Sequence, residues 1–154
     1  GAIMKFWLLK SEPDAFSYND LENALNKGTV WDGVRNYQAR NILRDDINVG
    51  DKAFFYHSSC KEPGIVGICA ITETGIVDPS SLDPASKYYD PKSSPDNPRW
   101  ITINVVADRA LKRVITLKEL RQHEALSEMV LLNRGRLSVQ PVSESEWEYI
   151  LGLE

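Results

Sequence analysis

The sequence is poor in the residues that mark disulfide frameworks, metal sites and membrane segments. Its two cysteines, Cys60 and Cys69, stand outside any C-x-x-C pattern, which argues against a disulfide scaffold or a zinc ribbon. No basic segment followed by a long apolar run opens the chain, and no stretch approaches the roughly 20 apolar residues of a membrane span. These absences predict a reducing, intracellular setting with no membrane partner.

Excess positive charge is also missing. The chain has 18 Lys and Arg against 22 Asp and Glu, a formal net charge of -4. Avid binding to nucleic acid that is blind to sequence depends on many phosphate contacts, which an acidic surface does not favour. Any polynucleotide partner is therefore expected to be held by a local site.

What the chain does contain predicts one globular α+β domain. With 154 residues, of which 42% are hydrophobic, it is long enough to bury a core without disulfides. Gly1-Ala2-Ile3 ahead of Met4 are typical of a cloning-tag remnant, so the domain is expected over residues 4–154. We predict about five or six strands in a mixed sheet or open barrel, flanked by short helices, in a monomer.

The individual elements follow from local patterns. Ser-x-x-Asp/Glu and Thr-x-x-Glu capping boxes at Ser17, Thr116 and Ser143 predict helices that begin just after them, and Gly28 is expected to end the first helix. Residues 78–99 are rich in Pro, Ser and Asp yet also aromatic, which is typical of a functional loop. Apolar or alternating runs predict strands over residues 3–10, 52–58, 65–72, 101–107 and 136–142.

One stretch, WDGVRNYQARN over residues 31–41, is unusually dense in recognition chemistry. Asp32-Gly33 is a turn signal, and Asn36 is a good N-cap for a short helix with Ala39 on its apolar face. The stretch is interpreted as the wall of a pocket that presents Trp31. The alternative is a tryptophan that fills the core beside a solvated basic helix.

Common catalytic and cofactor motifs are not found in the sequence. The run of His57, Ser58, Ser59 and Cys60 does not predict a triad, because strand neighbours point to opposite faces and triad members meet in space. The two histidines and two separate cysteines have no metal-ligand spacing. No phosphate-binding glycine loop is present, so neither a metal nor another cofactor is expected.

The remaining polar and aromatic groups at predicted strand ends and turns suit a flat heterocycle, with aromatic rings on its faces and amide or hydroxyl groups at its edges. These groups are Trp31, Arg35, Asn36, Tyr56, His57, Trp100, Ser138 and Gln140.

Five ordered motifs resemble the EVE domain family of the PUA-like superfamily. They are WLLKSEPDAFS (7–17), WDGVRNYQARN (31–41), FFYHSS with GIVGI (54–59 and 64–68), YYDPKSS with PRW (88–94 and 98–100), and GRLSVQPV (135–142). The resemblance implies a PUA-like β-barrel flanked by helices. It also implies recognition of modified bases in nucleic acid, such as 5-methylcytosine, in a bacterial cytoplasm or a eukaryotic nucleus.

The EVE domain is also similar to the YTH domain, which holds N6-methyladenosine in an aromatic cage. The comparison places the Lys10-Ser11 strand end at the base, Trp31 at one wall and Trp100 at a second. Val34 is also expected to belong to the pocket. We hypothesise a non-enzymatic reader that stacks a flipped base on Trp31 and reads its edge. The predicted edge contacts are Ser11, Glu12, Asn36 and Ser138 or Gln140, and the predicted phosphate contacts are Arg35, Arg40, Arg134 and Arg136.

Two alternatives stay open at this point. ASCH domains, also PUA-like, include hydrolases of acetylated cytidine that use a lysine and a glutamate, roles for which Lys10 and Glu12 are candidates. Strand alternation turns the adjacent hydroxyl of Ser11 away from that pair. The other alternative is a pocket for a small metabolite. The sequence does not distinguish DNA from RNA, one base modification from another, or a nucleoside from a strand.

Overall fold

The computed structural model describes residues 3–154. The predicted tag remnant of residues 1–3 therefore lies outside the described residues except for Ile3, which is exposed. Within residues 3–154, no helix is both long enough and apolar enough to cross a membrane.

Six strands of the described residues form a single mixed sheet. They are β1 (Phe6–Ser11), β2 (Thr29–Val30), β3 (Lys52–His57), β4 (Gly64–Val77), β5 (Ile101–Thr116) and β6 (Val139–Val142). Their order is β2-β5-β4-β3-β1-β6, with β1 and β3 parallel and the other neighbours antiparallel. The edge strands β2 and β6 do not pair within the described residues, so the sheet is open. The α+β class, the strand number and the open mixed sheet are confirmed, and the sheet does not close into the β-barrel that the resemblance implied.

The strand lengths differ from the predicted ones. β4 and β5 pair over nearly their whole length through several register shifts, and both run past the predicted ends at residues 72 and 107. Such bulges interrupt the alternation of apolar residues and therefore hide the continuity of a strand in sequence. β6 starts at Val139 rather than at residue 136, and it lies at a sheet edge, where Pro141 requires no ladder partner for its nitrogen.

Five short α-helices flank the sheet within the described part of the chain. Complete capping boxes at Ser17 and Ser143 begin the first and the last of them, as predicted. At the third only half of the box forms, because the Glu119 side chain pairs with Arg113 instead of the cap backbone. The helices are α1 (Tyr18–Asn23), α2 (Tyr37–Asn41), α3 (Leu117–Leu120), α4 (Val130–Asn133) and α5 (Glu144–Leu151).

Each face of the sheet carries its own hydrophobic core. Phe55 belongs to the core under α1 and α2, and Phe54 and Tyr56 belong to the core under α3 to α5, as the alternation along β3 predicts. Gly67 of β4 lets α1 approach closely, since a Cβ there would lie 2.4 Å from the Tyr18 ring.

Candidate functional site

A cavity of about 910 Å³ opens at one edge of the sheet. The parallel strands β1 and β3 both reach their carboxyl ends there, and the Ser58 amide donates to the Ser11 carbonyl at 2.9 Å. β6 runs antiparallel to β1, so the segment that enters β6 reaches the same edge. Side chains that are distant in sequence thereby converge on one cavity of a size common for ligand sites.

Eight of the predicted pocket or phosphate residues line this cavity. They are Lys10, Ser11, Glu12, Trp31, Val34, Arg35, Arg136 and Ser138. The fold brings these eight residues together at one cavity, and their roles in binding stay predictions.

Trp31 is both a core residue and a cavity wall. Its side chain is 7% exposed, and its ring meets Phe55 edge to face with centroids 5.5 Å apart. The Trp31 amide donates to the Ile103 carbonyl at 2.9 Å, and its carbonyl accepts a hydrogen bond from Thr102. The two interpretations of Trp31, pocket wall and core residue, therefore both describe its position.

Lys10 reaches the cavity from the end of β1, but its ammonium group already has protein partners. It donates to the Gly135 carbonyl and lies 5.7 Å from the centre of the Tyr56 ring. Burial lowers the pKa of Lys10 from its ordinary value. The neighbouring Ser11 hydroxyl donates to the Phe16 carbonyl at 2.6 Å, so it supports the backbone of that loop.

Arg35 lines the cavity with a guanidinium whose five N–H groups are all bonded to protein. Nε and Nη2 both donate to the Tyr88 carbonyl, at 3.1 and 2.7 Å. Nη1 donates to the Val34 carbonyl at 2.8 Å and to the Asp78 carboxylate at 2.9 Å, and Nη2 also donates to Ser80 at 3.3 Å. This geometry does not leave Arg35 a free donor for phosphate or base, which corrects the predicted phosphate role.

Asp78 anchors this arrangement from inside the protein. Its side chain is 2% exposed and accepts hydrogen bonds from Arg35 and from the Gly33 amide, both at 2.9 Å. Burial alone would raise the pKa of Asp78, but hydrogen bonds from Ser80, Arg35 and Gly33 outweigh it and lower that pKa. The carboxylate therefore stays charged and fixes the turn that follows Trp31.

The cavity is locally cationic although the chain is acidic. Lys10, Arg35, Lys87 and Arg136 line it, against the two carboxylates of Glu12 and Asp32. The charge of Arg35 is paired with the buried Asp78, which leaves a surplus of one positive charge. Burial and the nearby charge of Asp78 raise the pKa of Asp32. A positive charge surplus at this one cavity would attract phosphate groups, as expected if a polynucleotide is held by a local site.

Several predicted residues lie outside the cavity lining and support its walls. Asn36 caps α2 by accepting from the Ala39 amide at 2.9 Å. Tyr56 is buried in the second core beneath Lys10. The His57 Nε2 accepts from the Tyr18 amide at 3.1 Å, and burial lowers the pKa of His57.

Gln140 and Trp100 are also directed into the protein. The fully buried Gln140 donates to the Leu137 carbonyl at 2.7 Å, and its Oε1 has no partner within residues 3–154. Trp100 is 6% exposed and donates from Nε1 to Asp90 at 2.8 Å. Neither side chain lines the cavity, so neither occupies the base-facing position that the sequence suggested.

The other predicted phosphate contacts lie beside the cavity. Arg40 donates to the Arg99 carbonyl at 2.8 Å and lies over the Tyr37 ring, away from the lining. Arg134 donates to Gln38 at 2.7 Å and borders a shallow depression of about 290 Å³, which shares Gly135 and Arg136 with the main cavity. Within residues 3–154, the Arg136 side chain has no ion pair with a carboxylate.

Sequence reasoning missed several lining residues, of which Tyr88 is the largest. Tyr88 belongs to the aromatic loop of residues 78–99, and the unusual composition of that loop was the signal in the sequence. The other missed residues include Phe16, Asp32, Ser58, Ser59 and Lys87.

Within residues 3–154, no group of three His, Cys, Asp or Glu side chains has an arrangement that could hold a metal ion.

Comparison with known proteins identifies close relatives. The EVE domain family matches residues 5–153. Thymocyte nuclear protein 1 of Homo sapiens is 44% identical, over 99% of this chain and 75% of its own length. A hypothetical protein from Leishmania major superposes with a TM-score of 0.92 at 45% identity, covering 98% of this chain and 94% of that chain.

Two further solved structures bear on the ligand and on the fold. The human THYN1 protein, solved in complex with DNA that contains 5-methylcytosine, superposes with a TM-score of 0.91 at 42% identity, covering 97% of this chain and 96% of that chain. The ASCH protein of Zymomonas mobilis superposes with a TM-score of 0.56 at 12% identity, a likeness of fold alone.

Proposed function

Because this chain belongs to the EVE domain family, we propose that it is a non-enzymatic reader of a modified base in nucleic acid, with 5-methylcytosine in DNA as the favoured ligand. The main observation behind this proposal is that an otherwise acidic chain has a cationic cavity with Trp31 in its wall. The complex of human THYN1 with 5-methylcytosine DNA supports the choice of DNA and of this modification. RNA and other modified bases are the alternative ligands.

In this proposal the base leaves its strand and stacks against Trp31. Flipping a base costs a few kcal/mol, which stacking and edge contacts must offset. Glu12 and Asp32 line the cavity, and a carboxylate can accept a hydrogen bond from the N4 amino group of cytosine. A free nucleoside would gain the same contacts but not those of Arg136 with a phosphate.

We propose that the protein does not hydrolyse the base it binds. An ASCH-like reaction would need Lys10 free to act on the substrate, whereas its ammonium is engaged by Gly135 and the Tyr56 ring. The Ser11 hydroxyl is likewise committed to the Phe16 carbonyl. We also propose that the protein acts as a monomer. The location is expected to be nuclear in a eukaryote and cytoplasmic in a bacterium.

The proposal predicts a preference for DNA that carries 5-methylcytosine. Matched labelled strands with one 5-methylcytosine or one cytosine are titrated with the protein by fluorescence anisotropy. Burying one methyl group contributes about 0.8 kcal/mol, so the methylated strand should bind about fourfold more tightly. Equal affinity for the two strands would contradict the proposed ligand.

The same strands and free acetylated cytidine are then incubated with the protein and analysed by chromatography. Both are expected to be recovered unchanged. Product formed over many turnovers, and lost in Lys10→Ala, would establish the hydrolase alternative instead.

Arg136→Ala tests the phosphate contact separately from the base contact. Phosphate contacts release counterions whatever the base, so the variant should bind methylated and unmethylated strands more weakly by the same factor. The slope of log affinity against log salt concentration should fall by the contribution of one phosphate contact, which is about 0.7 on a single strand. Affinity is measured at several salt concentrations on each strand.

Arg109→Ala is the matched control for the Arg136 variant. It removes one positive charge from an exposed arginine that pairs with Glu154 and lines neither cavity. An equal loss in both variants would mean that net charge, rather than a contact at Arg136, governs binding.

A further inference from the structure

We propose that Tyr88 forms the second aromatic wall of the base-binding cavity, and that Arg35 and Asp78 are positioning residues that hold it there. The inference rests on the proposed function and assigns the wall that sequence comparison gave to Trp100. Tyr88 lines the cavity, whereas Trp100 does not.

The ring of Tyr88 packs on the turn that carries Trp31. A Cβ at Gly33 would lie 2.7 Å from Cε2 of Tyr88, so the two residues are in direct contact. Gly33 also has φ +81°, which a residue with a side chain rarely adopts. Glycine at this position therefore permits both the turn and the approach of the ring. Tyr88 thus contacts the chain at Gly33, two residues after Trp31, and lines the same cavity.

The backbone of Tyr88 is held by Arg35 with two hydrogen bonds to one carbonyl. The guanidinium carbon of Arg35 also lies 5.6 Å from the centre of the Tyr88 ring and 4.9 Å from that of Trp100. Asp78 in turn fixes both Arg35 and the Gly33 amide. One buried carboxylate thereby sets the relative position of the Trp31 turn and the Tyr88 loop.

Trp100 completes the support from behind. It stacks on Tyr37 with centroids 5.0 Å apart and planes at 19°, and it donates to Asp90 in the same loop as Tyr88. Its indole is thus occupied on one face by Tyr37, with the Arg35 guanidinium also packed against it. Of Trp100 and Tyr88, only Tyr88 lines the cavity together with Trp31.

Tyr88→Ala tests the wall directly by anisotropy with the 5-methylcytosine strand. Because stacking of a base on an aromatic ring is worth about 1–3 kcal/mol, removal of the Tyr88 ring should lower the affinity about 5- to 150-fold. The Tyr88 hydroxyl makes no hydrogen bond within residues 3–154, so Tyr88→Phe should retain the parent affinity. Tyr89→Ala, at an exposed neighbour outside the cavity, is the matched control and should bind like the parent.

The positioning role of Arg35 is tested with a double-mutant cycle. Arg35→Lys keeps the charge but not the paired donors that hold the Tyr88 carbonyl. Introduced into the parent, Arg35→Lys should lower the affinity for the methylated strand. Introduced into Tyr88→Ala, it should cause no further loss of affinity, because Arg35 acts by positioning Tyr88. Additive losses would overturn the positioning role, and full affinity of a folded Tyr88→Ala would overturn the wall.

These outcomes are distinct from failure of the proposed function. If the parent shows no preference for the methylated strand, the reader proposal fails. If the parent shows the preference and Tyr88→Ala keeps both preference and affinity, only the present inference fails. Melting temperatures of all variants are recorded, and hydrogen exchange at residues 79–97 should be faster in Arg35→Lys if the loop is held as described.

Discussion

Trp31→Ala is expected to lower the melting temperature and the affinity for methylated DNA together. The residue is 7% exposed and packs on Phe55, so its truncation leaves a void in the core under α1 and α2. Removing a buried tryptophan costs about 3–5 kcal/mol, which corresponds to a fall of roughly 6–20 °C in melting temperature for a chain of this size.

The loss of affinity in Trp31→Ala has a separate cause. The ring lines the cavity, and stacking of one base on it is worth about 1–3 kcal/mol, or a 5- to 150-fold change in affinity. Trp31→Phe keeps an aromatic face and part of the core volume, so both losses should be smaller. Affinity is measured at a temperature at which melting curves show every variant to be folded.

Trp147→Ala separates lost stability from lost binding. Trp147 is equally buried but lies in the other core, stacked on Phe54 with centroids 3.9 Å apart. It should melt earlier than the parent and yet bind with unchanged affinity. A folded Trp31→Ala that binds the methylated strand as tightly as the parent would contradict the role of Trp31 as a wall.

Sequence reasoning succeeded where the structure is set by neighbours along the chain. The alternation over Phe54 and Phe55 assigns each ring to its core, and the capping boxes at Ser17 and Ser143 begin helices because the partners lie three residues away. The gathering of Lys10, Trp31 and other groups at one site was reached through the family resemblance. The periodicity of apolar residues alone would not have predicted that these side chains lie close together.

The errors concern contacts between distant segments. Trp100 and Tyr88 are both aromatic residues of one long loop, and only the fold decides that Arg35 packs on both while Tyr88 alone lines the cavity. Chain order carries no information on that choice. Arg35 likewise looks like a free cation in sequence, because its partner Asp78 lies 43 residues away.

Ser138 and Gln140 show the same limit. The sequence offered either of them as a contact to the base edge and did not choose between them. Ser138 lies where the chain enters the cavity edge, whereas Gln140 is opposite Leu8 within the sheet and is fully buried. Position along the strand, rather than face, decides which side chain reaches the cavity.

Asp78→Ala is expected to destabilise the protein and weaken DNA binding, although Asp78 does not line the cavity. Breaking a buried ion pair costs about 3–5 kcal/mol, and the lower end applies because the Arg35 side chain is 23% exposed and can be hydrated. About 3 kcal/mol corresponds to a fall of roughly 6–12 °C in melting temperature. Affinity should fall because the Gly33 amide and Arg35 lose the partner that aligns the two aromatic walls.

Asp45→Ala is the matched control, since Asp45 pairs with Arg44 on the surface, where both side chains are exposed. Such pairs contribute little, so its melting temperature and affinity should stay close to those of the parent. An Asp78→Ala variant that behaved like this control would contradict the anchoring role.

Asp78→Asn adds a test by pH. The pKa of Asp78 lies below its ordinary value of 3.8 in the folded protein, so the unfolded chain binds the proton more readily. The stabilisation from the charged carboxylate is therefore present above about pH 4 and is lost as the pH falls through the folded pKa. The melting temperature of the parent should exceed that of Asp78→Asn at pH 7, and this difference should shrink as the pH is lowered below 3.8. A difference that stays constant across that range would mean that shape and hydrogen bonding at Asp78, rather than its charge, hold the Trp31 turn and the Tyr88 loop together.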